Sequence, residues 1–293
     1  MEQNYIIATA STADLTREYL DEHKIPFISY NYTIGDEAFE DDCREETRSS
    51  VYKKMREGSI LTTAAINEYC YHEFFEELLK QGKDIIFLDM SRILSSSFRF
   101  CENAIEELKE EYPDREIINV DTCCVSGGLG MLVENVIDLY EAGTSKENLL
   151  KWIEENKLRI AHRFTVDDLN WLKRGGRVSN ASALVGTLLS IKPVLYVPND
   201  GSLMAVSKVR GRKTALNAVI DAIKNDVKNP DGMVFRINHA DCYEDAEYVK
   251  NALLEAFPSV KEITITGLGV VIGAHCGPGL FTIFYMTDAR RPQ

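Results

Sequence analysis

Residues 117–130, I-I-N-V-D-T-C-C-V-S-G-G-L-G, pass from an apolar run into a polar turn and then into the glycine-rich start of a helical pattern. The short apolar run Ile117–Val120 predicts a strand that is buried on both faces of a parallel sheet. The same order recurs at Tyr5–Ala8 and at Ile85–Leu88, each followed by a turn rich in Ser, Thr or Asp. This βα repetition predicts an N-terminal α/β domain whose ligand-binding edge lies at the carboxyl ends of the strands.

The chain of 293 residues is long enough for two domains, and its pattern changes after a charged helical stretch that ends near Lys157. We therefore predict an N-terminal domain of residues 1–155 and a C-terminal domain of residues 156–293. In the second domain, Pro198-Asn199-Asp200-Gly201 predicts a hairpin turn between the β-prone runs Pro193–Val197 and Ser202–Val209.

The other elements predicted for the second domain are strands at Met233–Ile237, Glu262–Thr266 and Leu280–Met286 and helices at 214–227 and 243–256. Strands and helices in this order favour a mixed sheet covered by helices. The expected fold class is thus α/β with two domains, a parallel-sheet domain followed by a mixed-sheet domain.

Charge is unevenly distributed along the chain. The net charge is −13, with 16 basic and 33 acidic side chains in residues 1–157 and 17 basic and 13 acidic in residues 158–293. An acidic chain without a long Lys/Arg run is not expected to bind nucleic acid or an anionic membrane. No apolar stretch approaches ~18 residues and the N-terminus does not resemble a signal peptide, so we expect a cytoplasmic protein without integral membrane association.

The seven cysteines are odd in number and lack the C-x-x-C spacing. This pattern argues against a disulfide framework and against a zinc site. Free thiols in a reducing compartment are the simplest interpretation.

The segment Phe164–Ser179, F-T-V-D-D-L-N-W-L-K-R-G-G-R-V-S, combines an acidic helix start with a glycine pair between two arginines. Gly175-Gly176 allows a sharp turn that could bring the guanidinium groups of Arg174 and Arg177 toward one anion. The alternative is an ordinary helix C-terminus, with a glycine stop and basic residues that compensate the helix dipole.

Two further segments suggest anion contacts. Arg210 lies in the basic cluster Lys208–Lys213, which precedes a helical run. His275 lies in Ile272–Gly279, I-G-A-H-C-G-P-G, where three glycines and a proline predict a loop rather than a helix. Ser95 precedes another helical run, so its hydroxyl could either cap that helix or, with the unpaired N–H groups, hold a carboxylate.

Taken in order, these motifs resemble the DegV family of bacterial fatty-acid-binding proteins over nearly the whole chain. The R-G-G-R block and the G-A-H-x-G-P-G loop are the specific ones. The supporting motifs are S-T-A-D-L from Ser11, Thr62-Thr63, L-S-S-S-F from Leu94 and D-T-C-C-V-S-G-G-L-G from Asp121.

The resemblance implies a lipid site between the two domains, with no cofactor and no catalytic group on this chain. It assigns the fatty-acid carboxylate to the hydroxyls of Thr62 and Ser95. It also implies secondary contacts to the head group, to an added phosphate or to a partner protein, from Thr63, Arg174, Arg177, Arg210 and His275. The ligand implied is a long-chain acid such as palmitate (hexadecanoate), stearate or oleate.

The function implied is the presentation of that carboxylate to a separate fatty acid kinase, followed by transport of the acyl phosphate into phospholipid metabolism. The apolar residues that follow the R-G-G-R block are candidates for the tail tunnel or for plain core: Leu184, Leu188, Leu189 and Ile191. The family motifs are altered at Ala10, at Ala64-Ala65-Ile66 and at Ser96-Ser97, which affects the expected shape of the pocket mouth.

Two other functions are compatible with the sequence. One is a lipid carrier or sensor that has no kinase partner. The other is an enzyme in its own right, with Ser95 or Cys276 as nucleophile and His275 as base or phosphoryl acceptor. The motifs of common nucleotide-binding, serine hydrolase and zinc protease sites are absent from the sequence.

Overall fold

A computed structural model of the chain describes residues 3–177 and 190–288. In these residues the helices are α1 (Arg17–Glu22), α2 (Glu45–Arg56), α3 (Glu68–Leu79), α4 (Ser97–Glu111), α5 (Gly127–Glu141), α6 (Lys146–Asn156), α7 (Leu169–Gly175), α8 (Arg212–Asp226), α9 (Tyr243–Ala256) and α10 (Val270–Cys276). The strands are β1 (Tyr5–Ala10), β2 (Phe27–Ile28), β3 (Asn31–Ile34), β4 (Glu37–Glu40), β5 (Leu61–Thr63), β6 (Asp84–Asp89), β7 (Ile117–Asp121), β8 (Ile160–Thr165), β9 (Ile191–Tyr196), β10 (Met204–Arg210), β11 (Val234–His239), β12 (Glu262–Gly267) and β13 (Phe281–Met286).

The first domain contains the predicted parallel sheet, with strand order β2-β1-β6-β7. All six residues of β1 are buried, as expected for a strand that is covered on both faces. The three predicted strands are confirmed, but β7 lies at the edge of the sheet and is mostly half-buried, not covered on both faces as expected. Ser11 and Ser95 follow the carboxyl ends of β1 and β6, and Asp121 is the last residue of β7.

A small antiparallel sheet with strand order β4-β3-β5 was not predicted. Its strands are three or four residues long, too short to show a clear alternation of apolar and polar residues. The last of them, β5, contains Thr62 and Thr63 and lies against α10 of the second domain.

The second domain contains a mixed sheet with strand order β10-β9-β8-β13-β11-β12. The predicted hairpin is confirmed as the antiparallel pair β9–β10, and the pair β11–β12 is parallel. Helices α8 and α9 pack on this sheet and enclose a separate apolar cluster that includes Phe235, Ile283 and Val219.

The central strand β8 was missed because its sequence, I-A-H-R-F-T, interrupts the apolar run with two polar side chains. Both are buried and bonded. His162 Nε2 accepts the N–H of Val125 at 3.2 Å, and Arg163 donates to Asp226 at 2.7 Å. Because their polar groups have hydrogen-bond partners elsewhere in the fold, these two residues can be buried in β8, although a sequence pattern assigns such residues to the surface.

Helix α5 joins the two domains. It follows β7 in the chain but packs against β8, β11 and β13 of the second sheet. Its first residues are glycines because a Cβ at Gly127 would overlap Asn238 and Phe284, and one at Gly128 would overlap the imidazole of His162. One continuous apolar core extends from the parallel sheet into the second domain.

The predicted boundary near residue 155 falls within the last turn of α6, which ends at Asn156. All seven cysteines lie in the described residues, and none of them forms a disulfide there. Within residues 3–177 and 190–288, every helix is too short or too polar to cross a membrane.

We expect Gly128→Ala to lower the free energy of unfolding by about 1–3 kcal/mol, because the added methyl group must displace His162 from its bond to Val125. Chemical denaturation measures the change. Asp138→Ala, at an exposed position of the same helix, is the matched control and should change stability by less than about 0.5 kcal/mol. A Gly128→Ala protein of unchanged stability would show that α5 does not depend on this close approach.

Candidate functional site

Helix α7 has the termini that its sequence predicts. Asp168 is the N-cap, and its side chain accepts the N–H of Asn170 at 2.9 Å. The helix ends at Gly176, which has a φ of 69° in the left-handed region. The glycine-stop interpretation of the R-G-G-R block is therefore confirmed, and the remaining question is where the two arginines lie.

Helix α10 corrects the expected loop around His275. The seven residues Val270–Cys276 are helical, and Gly277, with a φ of 77°, follows the last turn. The helix packs against α7, with His275 facing Gly175. A Cβ at Gly175 would lie 2.8 Å from His275 Nδ1, so this glycine permits the close contact between the two helices.

A continuous series of hydrogen bonds connects β5, α10 and the end of α7. Thr63 Oγ1 lies 2.9 Å from His275 Nε2. His275 also forms a hydrogen bond with the Gly175 backbone, to whose carbonyl Arg177 Nη1 donates at 2.7 Å. Arg177 Nε donates to the carbonyl of Leu94 at 3.2 Å, which ties the end of α7 to the first domain.

His275 is neutral near pH 7 in this arrangement. Burial of the imidazole and, to a smaller extent, the positive charge of Arg177 together lower its pKa to about 4. Nδ1 faces Gly175, the residue whose backbone forms the second hydrogen bond of the ring. Nε2 shares a hydrogen bond with the Thr63 hydroxyl, and which of the two donates depends on which nitrogen carries the ring hydrogen.

The structure places the side chain of Thr62 away from His275. Its Oγ1 lies 2.6 Å from Thr33 Oγ1 on the exposed side of the small sheet. Successive side chains of a strand point to opposite faces, so only one of two adjacent threonines can face the cavity. That residue is Thr63.

Ser95 accepts a backbone N–H at the start of α4, although Ser96 is the N-cap residue, and it also faces the cavity. Its Oγ accepts the N–H of Ser97 at 3.1 Å, where α4 begins. The same Oγ lies 3.4 Å from the phenol oxygen of Tyr30. The two interpretations offered by the sequence are therefore compatible, because a hydroxyl that accepts one bond retains its own proton to donate.

The other two predicted arginines lie outside this group. The guanidinium of Arg174 stacks on the ring of Trp171 at 4.1 Å. Arg210 is exposed at the end of the edge strand β10. Neither side chain lines the cavity next to Thr63, so of the three arginines Arg177 alone contributes to its wall in the described part of the chain.

This cavity, the outer cavity, lies between the domains and encloses about 570 Å³, counting the space at its mouth. Its polar lining residues are Tyr30, Thr63, Ser95, Arg177 and His275. Its apolar lining residues include Met90, Leu94, Val125, Leu172, Leu203, Val271 and Ile272.

A second space of about 380 Å³, the inner cavity, lies deeper between the domains. Four residues line both cavities: Val125, Leu203, Ile272 and Cys276. The inner wall is completed mostly by buried apolar side chains such as Phe164, Leu268 and Phe284. Together the two cavities form an apolar region with hydrogen-bonding groups near one end.

Comparison with known proteins identifies the family. The family model described as uncharacterised proteins of the DegV family matches residues 5–288. A DegV domain-containing protein of Clostridium perfringens is 38% identical over 291 residues, which are 99% of this chain and 100% of the relative.

The chain belongs to the DegV family. The fold agrees with solved DegV structures. A DegV family protein from Thermus thermophilus, described as fatty-acid binding, is 27% identical with a TM-score of 0.87 and covers 97% of this chain and 100% of its own. DegV from Bacillus subtilis, described as a fatty acid binding protein, is 26% identical with a TM-score of 0.85 and covers 98% of this chain and 100% of its own.

Sequence reasoning found the polar end of this DegV site better than its apolar walls. Of the tunnel candidates, Leu184, Leu188 and Leu189 lie outside the described residues, and Ile191 belongs to β9 without lining either cavity. The lining residues Val125, Leu203 and Ile272 come from separate segments and share no spacing that a sequence pattern could reveal.

Cys276 lines both cavities, and burial raises the pKa of its thiol to about 12. The thiolate needed for nucleophilic attack is therefore scarce at neutral pH. His275, the base offered for such an enzyme, bonds to Thr63 and to the Gly175 backbone instead.

We expect the imidazole of His275 to remain neutral in the ligand-free protein down to about pH 4. Arg177→Met should raise this pKa because it removes a nearby positive charge. Since the folded-state pKa lies below the usual 6.5, the unfolded chain protonates first as the pH falls, and His275 lowers the free energy of unfolding between about pH 6.5 and pH 4. Nitrogen-15 NMR of the ring over a pH titration measures both values, and an ordinary pKa in the wild type would contradict the assignment.

Proposed function

We propose that this protein binds a long-chain fatty acid between its two domains, presents the carboxylate to a separate fatty acid kinase and then carries the acyl phosphate. The tail occupies the inner cavity and the apolar part of the outer cavity. The carboxylate lies among Thr63, Ser95, Arg177 and His275, in the cytoplasm where ATP is available to the kinase. The solved relatives described as fatty-acid binding support the ligand class.

The observation that carries the proposal is the polarity of the interdomain space. Its deep part is lined mostly by buried apolar side chains, with Ser126, His162 and Thr282 as its polar members. The polar groups of its outer part lie beside exposed residues, namely Ala64, Ala65 and Arg177. The hydrogen-bonding groups come from both domains, Thr63 and Ser95 from the first and Arg177 and His275 from the second. A ligand with a long apolar tail and one ionisable end matches this distribution.

The tail provides most of the binding free energy. Burial of a methylene group contributes about 0.8 kcal/mol, so about fifteen of them contribute on the order of 12 kcal/mol before ordering costs. A hydrogen bond to a charged group contributes about 1.5–3 kcal/mol. The head-group contacts therefore orient the ligand and distinguish an acid from an alcohol.

Arg177 is suited to both states of the ligand. Its Nε and Nη1 donate to backbone carbonyls, which fixes the guanidinium plane, and Nη2 has no partner among the described residues. A guanidinium held in this way can donate to a carboxylate before the transfer and to a phosphoryl oxygen after it. The location of the polar groups at the exposed end supports presentation of the carboxylate to a kinase.

We expect native mass spectrometry to detect a bound fatty acid of about sixteen to eighteen carbons, in keeping with the burial of about fifteen methylene groups. Thr63→Val with Ser95→Ala should weaken the binding of added oleate at least about tenfold, because two donors to the carboxylate are lost. Thr62→Val is the matched control and should leave affinity unchanged, since its hydroxyl faces Thr33. Equal affinities in all three proteins would show that the head site lies elsewhere, and a protein that ignores oleate would contradict the ligand class.

The kinase step gives a separate expectation. With ATP and oleate, the isolated protein should form no acyl phosphate, whereas addition of the cognate fatty acid kinase should produce it. Trapping with hydroxylamine measures the product. Turnover by the isolated chain would favour an intrinsic enzyme, and oleate binding without product in the presence of the kinase would favour a carrier.

A further inference from the structure

One wall of the inner cavity is a face of the mixed sheet at β13. Leu280, Thr282 and Phe284, which alternate along the chain, line the cavity. The residues between them, such as Ile283, belong to the apolar cluster on the opposite face of the sheet. Because side chains alternate along a strand, the hydroxyl of Thr282 lies on the cavity side. Its neighbour in β8, directly opposite in the register, is Phe164, so this hydroxyl is set in an otherwise apolar part of the wall.

Thr282 differs from the other polar residues of the inner cavity in its hydrogen bonding. Ser126 Oγ bonds to Asp14, and both ring nitrogens of His162 bond to backbone groups. Thr282 is only 4% exposed, and its hydroxyl has no hydrogen-bond partner in the part of the chain that the structure describes. A buried hydroxyl without a partner is unfavourable, so a partner for Thr282 is expected to come from the contents of the cavity.

Asn238 is the polar residue nearest to Thr282 in the sheet, since it lies directly opposite in β11. Its Nδ2 donates to Thr266 Oγ1 at 2.6 Å. Its Oδ1 lies against the start of α5, where a Cβ at Gly127 would overlap it, and no hydrogen bond joins this oxygen to Thr282. Asn238 does not line either cavity, so the hydroxyl of Thr282 remains the group that a ligand can reach.

We propose that the inner cavity recognises a hydroxyl group on the fatty-acid tail, so that the preferred ligand is a hydroxy fatty acid. The Thr282 hydroxyl can donate to the ligand hydroxyl or accept from it. This inference rests on the proposed function, because the carboxylate in the outer cavity fixes which part of the tail reaches Thr282. Since Thr282 lines only the inner cavity, the substituted carbon lies in the distal half of the chain.

The selectivity follows from the balance of desolvation. In a wholly apolar cavity a tail hydroxyl would lose its hydration without replacement, and an unsubstituted chain would bind better. Here the unsubstituted chain leaves Thr282 unpaired, whereas two hydroxyls that pair with each other satisfy both groups. A single neutral hydrogen bond gives a moderate preference, about tenfold, and still admits unsubstituted acids.

The test is competition between ligands, read by native mass spectrometry of the delipidated protein. Octadecanoate is mixed in equal amounts with each of a series of hydroxyoctadecanoates that carry the hydroxyl at different carbons of the distal half. The two complexes differ in mass by one oxygen atom, so a single spectrum gives their ratio. We expect the isomer whose hydroxyl reaches Thr282 to be bound in about tenfold excess over octadecanoate.

Thr282→Val removes the hydroxyl and nearly preserves the shape of the side chain. We expect this variant to lose the preference and to bind octadecanoate at least as tightly as the wild type, because no unpaired hydroxyl remains in the wall. Thr165→Val is the matched control. Thr165 is also buried with an unpartnered hydroxyl, but it lines neither cavity, so its substitution should leave the preference unchanged.

Three outcomes would contradict the inference. A wild type that binds octadecanoate and prefers no hydroxylated isomer overturns it while leaving the proposed function intact. A preference that survives Thr282→Val shows that Thr282 does not read the tail, and would agree with a hydroxyl that serves Asn238 instead. Failure of the wild type to bind any of these acids would remove the proposed function and this inference together. The wild-type competition needs no variant, so it remains decisive if Thr282→Val does not fold.

Discussion

The buried guanidinium of Arg48 fixes how the second domain meets the first. From α2 it donates to the carbonyl of Leu15 at 2.8 Å and, across the domain interface, to that of Gly267 at 2.9 Å. One turn later, the hydroxyl of Tyr52 contacts the carbonyl of Gly269 at 3.1 Å. These bonds hold the loop that begins α10, and the rest of the candidate site depends on where α10 lies.

Because Arg48 is buried, its charge must be compensated by groups inside the protein. Arg48 lies near the buried carboxyls of Asp14 and Asp41; desolvation raises the pKa of both, and the positive charge of Arg48 opposes that rise. Removing the guanidinium would leave two backbone carbonyls and two acidic groups without their cation, which is costly inside a protein. Helix α10 therefore meets the first domain at its start and carries His275 in its last turn, so the candidate site and the interdomain packing share one structural element.

The sequence predicted the elements of this fold where local pattern and burial agree. The strands of the parallel sheet and the hairpin around Gly201 are examples. It failed where tertiary partners override the pattern. The strand β8 was not predicted because the partners of its polar residues His162 and Arg163 lie far away in the chain. The glycines around His275 suggested a loop, but the segment is a helix. Gly273 and Gly277 are needed there because Tyr52 and Trp171 pack closely against it.

By itself, the sequence determined the fold class, the family resemblance and the residue types of the head site, since strand patterns, helix caps and motif order are local properties of the chain. Only the tertiary structure decided which of two adjacent threonines faces the cavity, which of three arginines lines it and how His275 is held. Those outcomes depend on strand orientation and on two contacts of His275, one with Thr63 across the domain interface and one with Gly175 of the neighbouring helix, both about one hundred or more residues away in the chain. No local pattern encodes a distance across that interface, so the chemistry of the site appears only once the two domains are packed together.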